Sequence, residues 1–178
     1  MEEIFDVFDI NGNYLGTKPK SFCHGPNPGV YHKPVWIWIV NGNKILVQKR
    51  ALVKKNNPGK WDMPSAGHVH AGETMLQGCV RETFEELGLE TKESDYIFLR
   101  EYIAQSAWEL GQVFLLRTDA KIEDMTLQEE EVEEVKYLEF DEFKKLLYSD
   151  EFCPCKDDYK DWVCEILKKE VKIKNGRE

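Results

Sequence analysis

Glu82, Glu85 and Glu86 stand at i, i+3 and i+4 of a stretch whose apolar residues recur with a helical period, so their carboxylates share one face. Like charges at that spacing destabilise a helix by roughly 0.2–0.5 kcal/mol per pair. A hard divalent cation with oxygen ligands would offset the repulsion, and Mg2+ or Mn2+ suits carboxylates that leave water positions free. A solvated acidic face is the other reading of the same triplet. The remaining chemistry-bearing residues are His24, His32, His68 and His70, the cations Lys49, Arg50, Lys54 and Lys55, and five cysteines at 23, 79, 153, 155 and 164. A single histidine is more often a hydrogen-bonded structural residue than a ligand, although imidazoles gathered together suit a transition metal better than Mg2+. Cys153 and Cys155 lack the spacing of a ligand pair, so a structural zinc with Cys23 and His24 is discounted. Free thiols in a reducing cytoplasm are the expectation.

The element that must carry the triplet is a helix over Thr74 to Leu87, with Leu76, Val80, Thr83, Phe84 and Leu87 on its apolar arc and Gly88 as its stop. Gly78 lies one turn before Glu82 and would leave room for a bound phosphate; Arg81 can reach back to Glu73. Around this helix the pattern reads as strands. Ile4 to Ile10 and Tyr14-Leu15 flank Asn11-Gly12-Asn13 as a hairpin, and Val35 to Val40 turns at Asn41-Gly42-Asn43 into Ile45 to Val47. Further strands are expected at Tyr96 to Ile103, Gln112 to Leu116 and Glu134 to Phe140. Asp141 would cap a short helix into Leu147. Tyr159 to Val171 reads as a closing helix with a Trp162, Ile166 stripe that packs on its own domain, and Lys168 to Glu178 as a solvated end. Lys49 to Gly67 is basic and turn-rich. Trp36, Trp38 and Phe84 are assigned to the core, Trp61 to packing, and Trp108 to the lining of a pocket. The fold class is α/β (α+β), a mixed sheet between helices with an N-terminal hairpin and a C-terminal helix.

At 178 residues the chain fits one domain, 1–178, with residues 150–178 as a helical extension. Its composition, 42% hydrophobic and 12% aromatic, is globular. The net charge of −9 argues against duplex nucleic acid or an anionic membrane as partner. The longest apolar run, Val35 to Val40, is too short to span a bilayer, and the acidic start lacks the features of a secretory signal. The charge is unevenly placed: seven acids lie between Glu123 and Glu134, against the basic run from Lys49 to Lys60.

Gly67, five residues, Glu73, seven residues, and then Arg81-Glu82-Thr83-Phe84-Glu85-Glu86-Leu87-Gly88-Leu89 resembles the signature of the Nudix hydrolases. Thr83 stands where an aliphatic residue is usual, and its methyl can still face the core. The resemblance implies a Nudix fold. It further implies that Glu82, Glu85, Glu86 and the Gly67 carbonyl bind Mg2+ or Mn2+, that Glu73, Arg81 and Gly88 hold the signature in shape, and that a carboxylate takes the proton of the attacking water. Glu82 is the first candidate for that base and Glu131, in the Glu129 to Glu134 loop, the second.

From about Glu3 to Phe143 the chain also resembles the branch related to type 1 isopentenyl-diphosphate isomerases, through Tyr31-His32, Gln48-Lys49-Arg50-Ala51, Pro58-Gly59-Lys60-Trp61 and Ala66-Gly67-His68 among other stretches. That resemblance implies diphosphate binding by Lys49, Arg50, Lys54 and Lys55, and a second metal site at His24, His32, His68 and Glu109. Ala66 replaces the isomerases' catalytic Cys and Ala107 one of their two Glu, whereas every carboxylate of the hydrolase signature is present. The expected function is therefore metal-dependent hydrolysis of a diphosphate linkage in a nucleoside diphosphate derivative or related organic diphosphate. Isopentenyl-diphosphate isomerisation and non-catalytic nucleotide binding are the alternatives. A small-molecule substrate, a cytoplasmic setting, and a monomer or homodimer complete the expectation.

Overall fold

A computed structural model of the chain describes residues 2–172. The first hairpin forms as expected: β1 (Ile4–Phe8) pairs antiparallel with β2 (Tyr14–Pro19), and the Asp9 carboxylate accepts the backbone N–H groups of Asn11 and Asn13, both at 2.9 Å. A one-turn helix, α1 (Lys20–Cys23), follows and is not evident from the sequence pattern. β3 (Pro34–Asn41) and β4 (Lys44–Arg50) make the second hairpin, turning through Gly42 at φ 62°. Two short strands, β5 (Trp61–Asp62) and β6 (Ser65–His68), arise within the segment read as turns. Then come α2 (Met75–Leu87), β7 (Tyr96–Ala104), β8 (Glu109–Arg117), β9 (Val132–Glu139), α3 (Phe140–Leu147) and α4 (Asp157–Lys172).

Seven of the strands form one mixed sheet in the order β5-β4-β3-β8-β7, with β9 on β4 and β6 on β3. Only β3 and β8 run parallel among its pairs. One edge of β3 is shared. Its end (Val40, Asn41) pairs with β4, while its start (Pro34 to Ile37) pairs with β6, so the sheet forks beside Gly67. The run VWIWIV sits in the middle and is covered on both faces, as a central strand of a layered fold requires. Val35, Ile37 and Ile39 pack with Cys79 and Leu87 of α2, and Trp38 and Val40 with Phe143, Leu147, Val163 and Leu167 of α3 and α4. This is the expected sandwich of a mixed sheet between helices.

Several local expectations are corrected. Phe84 is 54% exposed; it lies at the margin of the apolar arc, and α2 buries the line Cys79, Thr83, Leu87 instead. Thr83 is fully buried, as its methyl allows. Trp36 is half-buried and stacks on Tyr102 with ring centroids 3.9 Å apart, whereas Trp38 and Trp61 are buried. Glu139, not Asp141, is the N-cap of α3, which begins at Phe140, and Asp141 lies in its first turn. α4 packs on its own domain as expected, with Val163, Leu167 and Val171 buried deepest and Trp162 half-buried against the same cluster. The expected solvated end is partly wrong, since α4 runs through Lys172 and buries Val171; residues 173–178 lie outside the described residues. No helix among the described residues is long and apolar enough to cross a membrane.

Candidate active site at the fork of the sheet

α2 is held at both ends by local chemistry. The Thr74 hydroxyl accepts the Gln77 N–H at 3.1 Å, and the Gln77 side chain accepts the Thr74 N–H at 2.9 Å, a reciprocal cap. At the other end Gly88 takes φ 67°, and a Cβ there would come within 2.8 Å of Thr126, so glycine is needed for conformation and for space. Between these ends the helix lies against β6. Gly78 permits that approach: a Cβ on it would be 3.0 Å from Val69 Cγ2, so its role is helix–strand packing rather than room for a phosphate.

One turn on, Glu82 reaches the backbone of β6. A Cβ built on Gly67 would overlap the Glu82 carboxylate, so Gly67 is there because a carboxylate occupies the place of its side chain. Glu86 is 6% exposed and its Oε2 accepts the Ala66 N–H at 3.1 Å. Burial and then the Glu82 charge push its pKa up to about 8, with Glu131 adding to the effect. No cation pairs with Glu86 among the described residues. Glu82 is also raised, chiefly by burial, with Arg81 working against the shift. Glu85 stands further out, its side chain 48% exposed. Two desolvated carboxylates and a third at their rim, set on a peptide backbone, form an oxygen-donor cradle that lacks sufficient positive charge of its own. The residues present fit a hard divalent cation.

Arg81 does more than reach Glu73. Its guanidinium donates to Glu73 (2.9 and 3.0 Å), Glu82 (2.7 Å), Glu85 (3.1 Å) and the His68 carbonyl (2.8 Å). Burial works against its charge, but Glu73 and Glu82 outweigh that and hold it protonated. Glu73 also accepts the His70 N–H at 2.9 Å, closing the loop between β6 and α2 on itself.

Glu131 lies in the turn entering β9. Its side chain pairs with Lys54, and its carbonyl accepts the Ala51 N–H at 2.9 Å. Lys49 pairs with Glu133 at 3.4 Å. Arg50 pairs with Asp62 at 3.2 Å and donates to the Asn56 carbonyl at 3.1 Å, so it braces the loop before β5. Burial raises the Asp62 carboxyl, against the opposing pull of the Met63 amide and Arg50. Lys55 is exposed. Lys54 therefore meets Glu131 close enough to Glu86 for the Glu131 charge to be felt there, whereas Lys49 and Glu133 pair on the sheet face that carries Val47 and Trp61.

The fold also gathers the histidines. The candidate ligand atoms of His24, His32 and His68 lie within 4.8 Å of one another. His24 and His32 bring their Nε2 atoms to 3.2 Å, and the Glu109 Oε1 is 3.5 Å from His68 Nε2 and 4.0 Å from His32 Nε2. Backbone pairing places Glu109 opposite His32, with the His32 N–H donating to the Trp108 carbonyl and the Leu110 N–H to the His32 carbonyl, both at 3.0 Å. Trp108 adopts φ 57°, an unfavourable conformation for so large a residue, immediately before Glu109. Its ring centroid lies 5.3 Å from that of Tyr31, beside the histidine cluster. Burial and the neighbouring imidazoles push the His32 pKa down to about 3, and burial lowers His24. His32 Nδ1 and His68 Nε2 are buried without a hydrogen-bond partner. Three gathered imidazoles, two of them with orphaned nitrogens, beside a carboxylate fit a transition-metal ion. His70 stands apart, 3.6 Å from Glu3. Phe5, which the sequence did not single out, is fully buried and stacks on His32 and His68 at 5.5 and 5.1 Å.

Comparisons with known proteins place the chain in a family. A NUDIX domain family model matches residues 30–154. Nudix hydrolase 3 of Arabidopsis thaliana is 36% identical over 159 residues, covering 82% of this chain but only 20% of that protein, so the chain spans a fifth of that relative's length. An isopentenyl-diphosphate Delta-isomerase of Streptomyces coelicolor is 36% identical over 87 residues, 48% of this chain and 44% of that one. Among solved structures, that of DR0079 from Deinococcus radiodurans aligns over 94% of this chain and 98% of its own with a TM-score of 0.69 at 18% identity, a likeness of fold. The chain belongs to the Nudix hydrolase family, in a branch similar to the isopentenyl-diphosphate isomerases.

Proposed function

We propose that this chain is a divalent-metal-dependent hydrolase that cleaves the diphosphate linkage of a nucleoside diphosphate derivative or related organic diphosphate by attack of water at phosphorus. The observation that carries the reading is the Glu82 carboxylate lying in the side-chain place of Gly67 beside the buried, cation-free Glu86. Glu82, Glu85, Glu86 and the Gly67 carbonyl would hold Mg2+ or Mn2+. When bound, such an ion polarises a diphosphate and lowers the pKa of a coordinated water. Glu82 takes the water's proton at its carboxylate, with Glu131 as the second candidate. Lys49, Lys54 and Lys55, with Arg50 behind them, hold the diphosphate oxygens and set the phosphorus toward the carboxylates. Arg81 keeps Glu82 and Glu85 in position through its fork of hydrogen bonds. The histidine cluster with Glu109 would hold a second ion of transition-metal type. The unit is one domain over residues 1–178 acting on a small molecule in the cytoplasm, as a monomer or homodimer.

The histidine cluster favours an isomerase as the second reading, and the residues at 66 and 107 oppose it. Ala66 offers no thiol and Ala107 no carboxylate to move a proton on an alkene. Phosphate or nucleoside monophosphate release from a panel of organic diphosphates with Mg2+ tests the proposal, comparing the wild type with Glu85→Gln. Turnover by the wild type and its loss in the variant are expected. Equal inertness with retained ligand binding would leave a non-catalytic binding domain. Deuterium exchange into isopentenyl diphosphate that His68→Ala abolishes would make the protein an isomerase.

A further inference from the structure

Beneath Glu86 the sheet presents polar side chains where a core strand would present apolar ones. Ile45 and Val47 of β4 face α3 and α4, whereas Leu46 between them faces α2 and packs with Cys79 and Leu87. Gln48, two residues on from Leu46, therefore points to the α2 side, and Val135, opposite it on β9, belongs to the same apolar cluster. Gln48 is 3% exposed, yet its Oε1 makes no hydrogen bond within the protein. Ser65 lies on the same face, opposite Ile37 and fully buried beside Glu86, and its Oγ has no aligned partner either. Backbone pairing sets Glu86 over this spot. On one side the Ala66 N–H of β6 donates to the Glu86 carboxylate at 3.1 Å, and on the other the Gln128 N–H, just before β9, donates to the Glu86 carbonyl at 3.1 Å. β4 runs between these anchors, paired along one edge with β9 and along the other with β5, which leads through Met63-Pro64 into β6. Arg50, the cation on that face of β4, spends its Nη1 on Asp62 and its Nε on the Asn56 carbonyl.

An unpartnered amide oxygen is satisfied only by a donor. Ionised carboxylates and the oxygens of a diphosphate are acceptors, so neither can serve. A hard divalent cation held by carboxylates keeps several of its waters, and those waters turn their hydrogens away from the ion. We propose that Gln48 is a positioning residue whose Oε1, with Ser65 Oγ beside it, accepts a hydrogen bond from the hydration shell of a cation held at Glu86. The pair thereby fixes how the ion's waters are turned. The proposal rests on the reading of Glu86 as a ligand of a divalent cation. It also means that the amide is retained at a cost to the metal-free fold, because a buried acceptor without a donor is destabilising and an apolar group of the same shape is not.

The test pairs calorimetric titration of the full chain with Mg2+ alone and urea unfolding of the metal-free protein. Gln48→Met is expected to weaken Mg2+ binding about tenfold, as loss of a group behind a metal site does, and to leave the urea midpoint unchanged or higher. Ser65→Ala is expected to weaken Mg2+ binding as well. Thr83→Val is the control: Thr83 Oγ1 is a fully buried, unpartnered oxygen on the core-facing line of α2, and its loss should leave Mg2+ affinity unchanged. Wild-type Mg2+ affinity in Gln48→Met overturns the assignment. So does a lowered urea midpoint or a failure to fold in Gln48→Met, because Oε1 would then have had a partner in the metal-free fold. Absence of Mg2+ binding by the wild type would overturn the reading of the Glu86 cradle itself, whereas firm wild-type binding beside an unaltered Gln48→Met overturns the role of Gln48 alone.

Discussion

Filling the carboxylate site with Mg2+ should expel nearly one proton from the protein at neutral pH. Glu86 is 6% exposed, and burial with the Glu82 charge pushes its pKa up to about 8 in the metal-free fold. A carboxyl with that pKa is ~90% protonated at pH 7 and ~10% at pH 9, and a carboxylate must lose its proton to ligate. Proton release should therefore fall from ~0.9 per ion at pH 7 to ~0.1 at pH 9, while Mg2+ affinity climbs up to ~tenfold per pH unit below pH 8. Titration calorimetry in two buffers of different ionisation enthalpy reads the proton count directly, and Glu86→Gln should abolish it. Release that is near zero at pH 7, or the same at pH 7 and 9, would refute the reasoning. The same shift has a stability consequence of definite sign. The folded pKa lies above the unfolded one, so the folded state binds the extra proton and the metal-free protein loses stability as pH rises from ~4.5 through ~8, by up to a few kcal/mol. His32, pushed down to about 3, acts in the other window: the protein loses stability as pH falls from ~6.5 toward 3.

Gly67→Ala should dislodge Glu82, since the new Cβ would overlap its carboxylate, and weaken Mg2+ affinity by ~10- to 100-fold with little change in far-UV circular dichroism. Arg81→Met removes the partner of Glu73, Glu82 and Glu85 and should cost ~3 kcal/mol in urea unfolding, more than an exposed ion pair could account for. Co2+ should give a d–d absorption band with the wild type that His32→Ala and His68→Ala lose; absence of the band in the wild type would leave the histidine cluster without a metal role.

The signature helix was legible because helical spacing alone puts Glu82, Glu85 and Glu86 on one face and Gly88 at its end. The run VWIWIV was legible as a central strand because every residue in it is apolar. Phe84 was misplaced because the apolar arc does not show where the neighbouring sheet ends. β6 was hidden because it is four residues long and carries Gly67, a poor strand former, at the point where the Glu82 carboxylate needs its space. The histidine cluster was legible only through resemblance. Bringing Glu109 to His32 depends on backbone pairing between segments 77 positions apart and on the φ 57° turn at Trp108, neither of which local pattern reveals. Phe5 escaped for the same reason, since its stacking on His32 and His68 exists only once β1 has docked. The pairing of Lys54 with Glu131 likewise follows from β9 lying against β4.

Hydrolysis in 18O-enriched water with Mg2+ tests the central claim most directly, with the phosphorus-containing products of the diphosphate panel analysed by mass spectrometry. The wild type is predicted to place one labelled oxygen on a product phosphate, and Glu82→Gln to give almost none. Unlabelled products throughout, or no cleavage by the wild type alongside deuterium exchange into isopentenyl diphosphate, would contradict it.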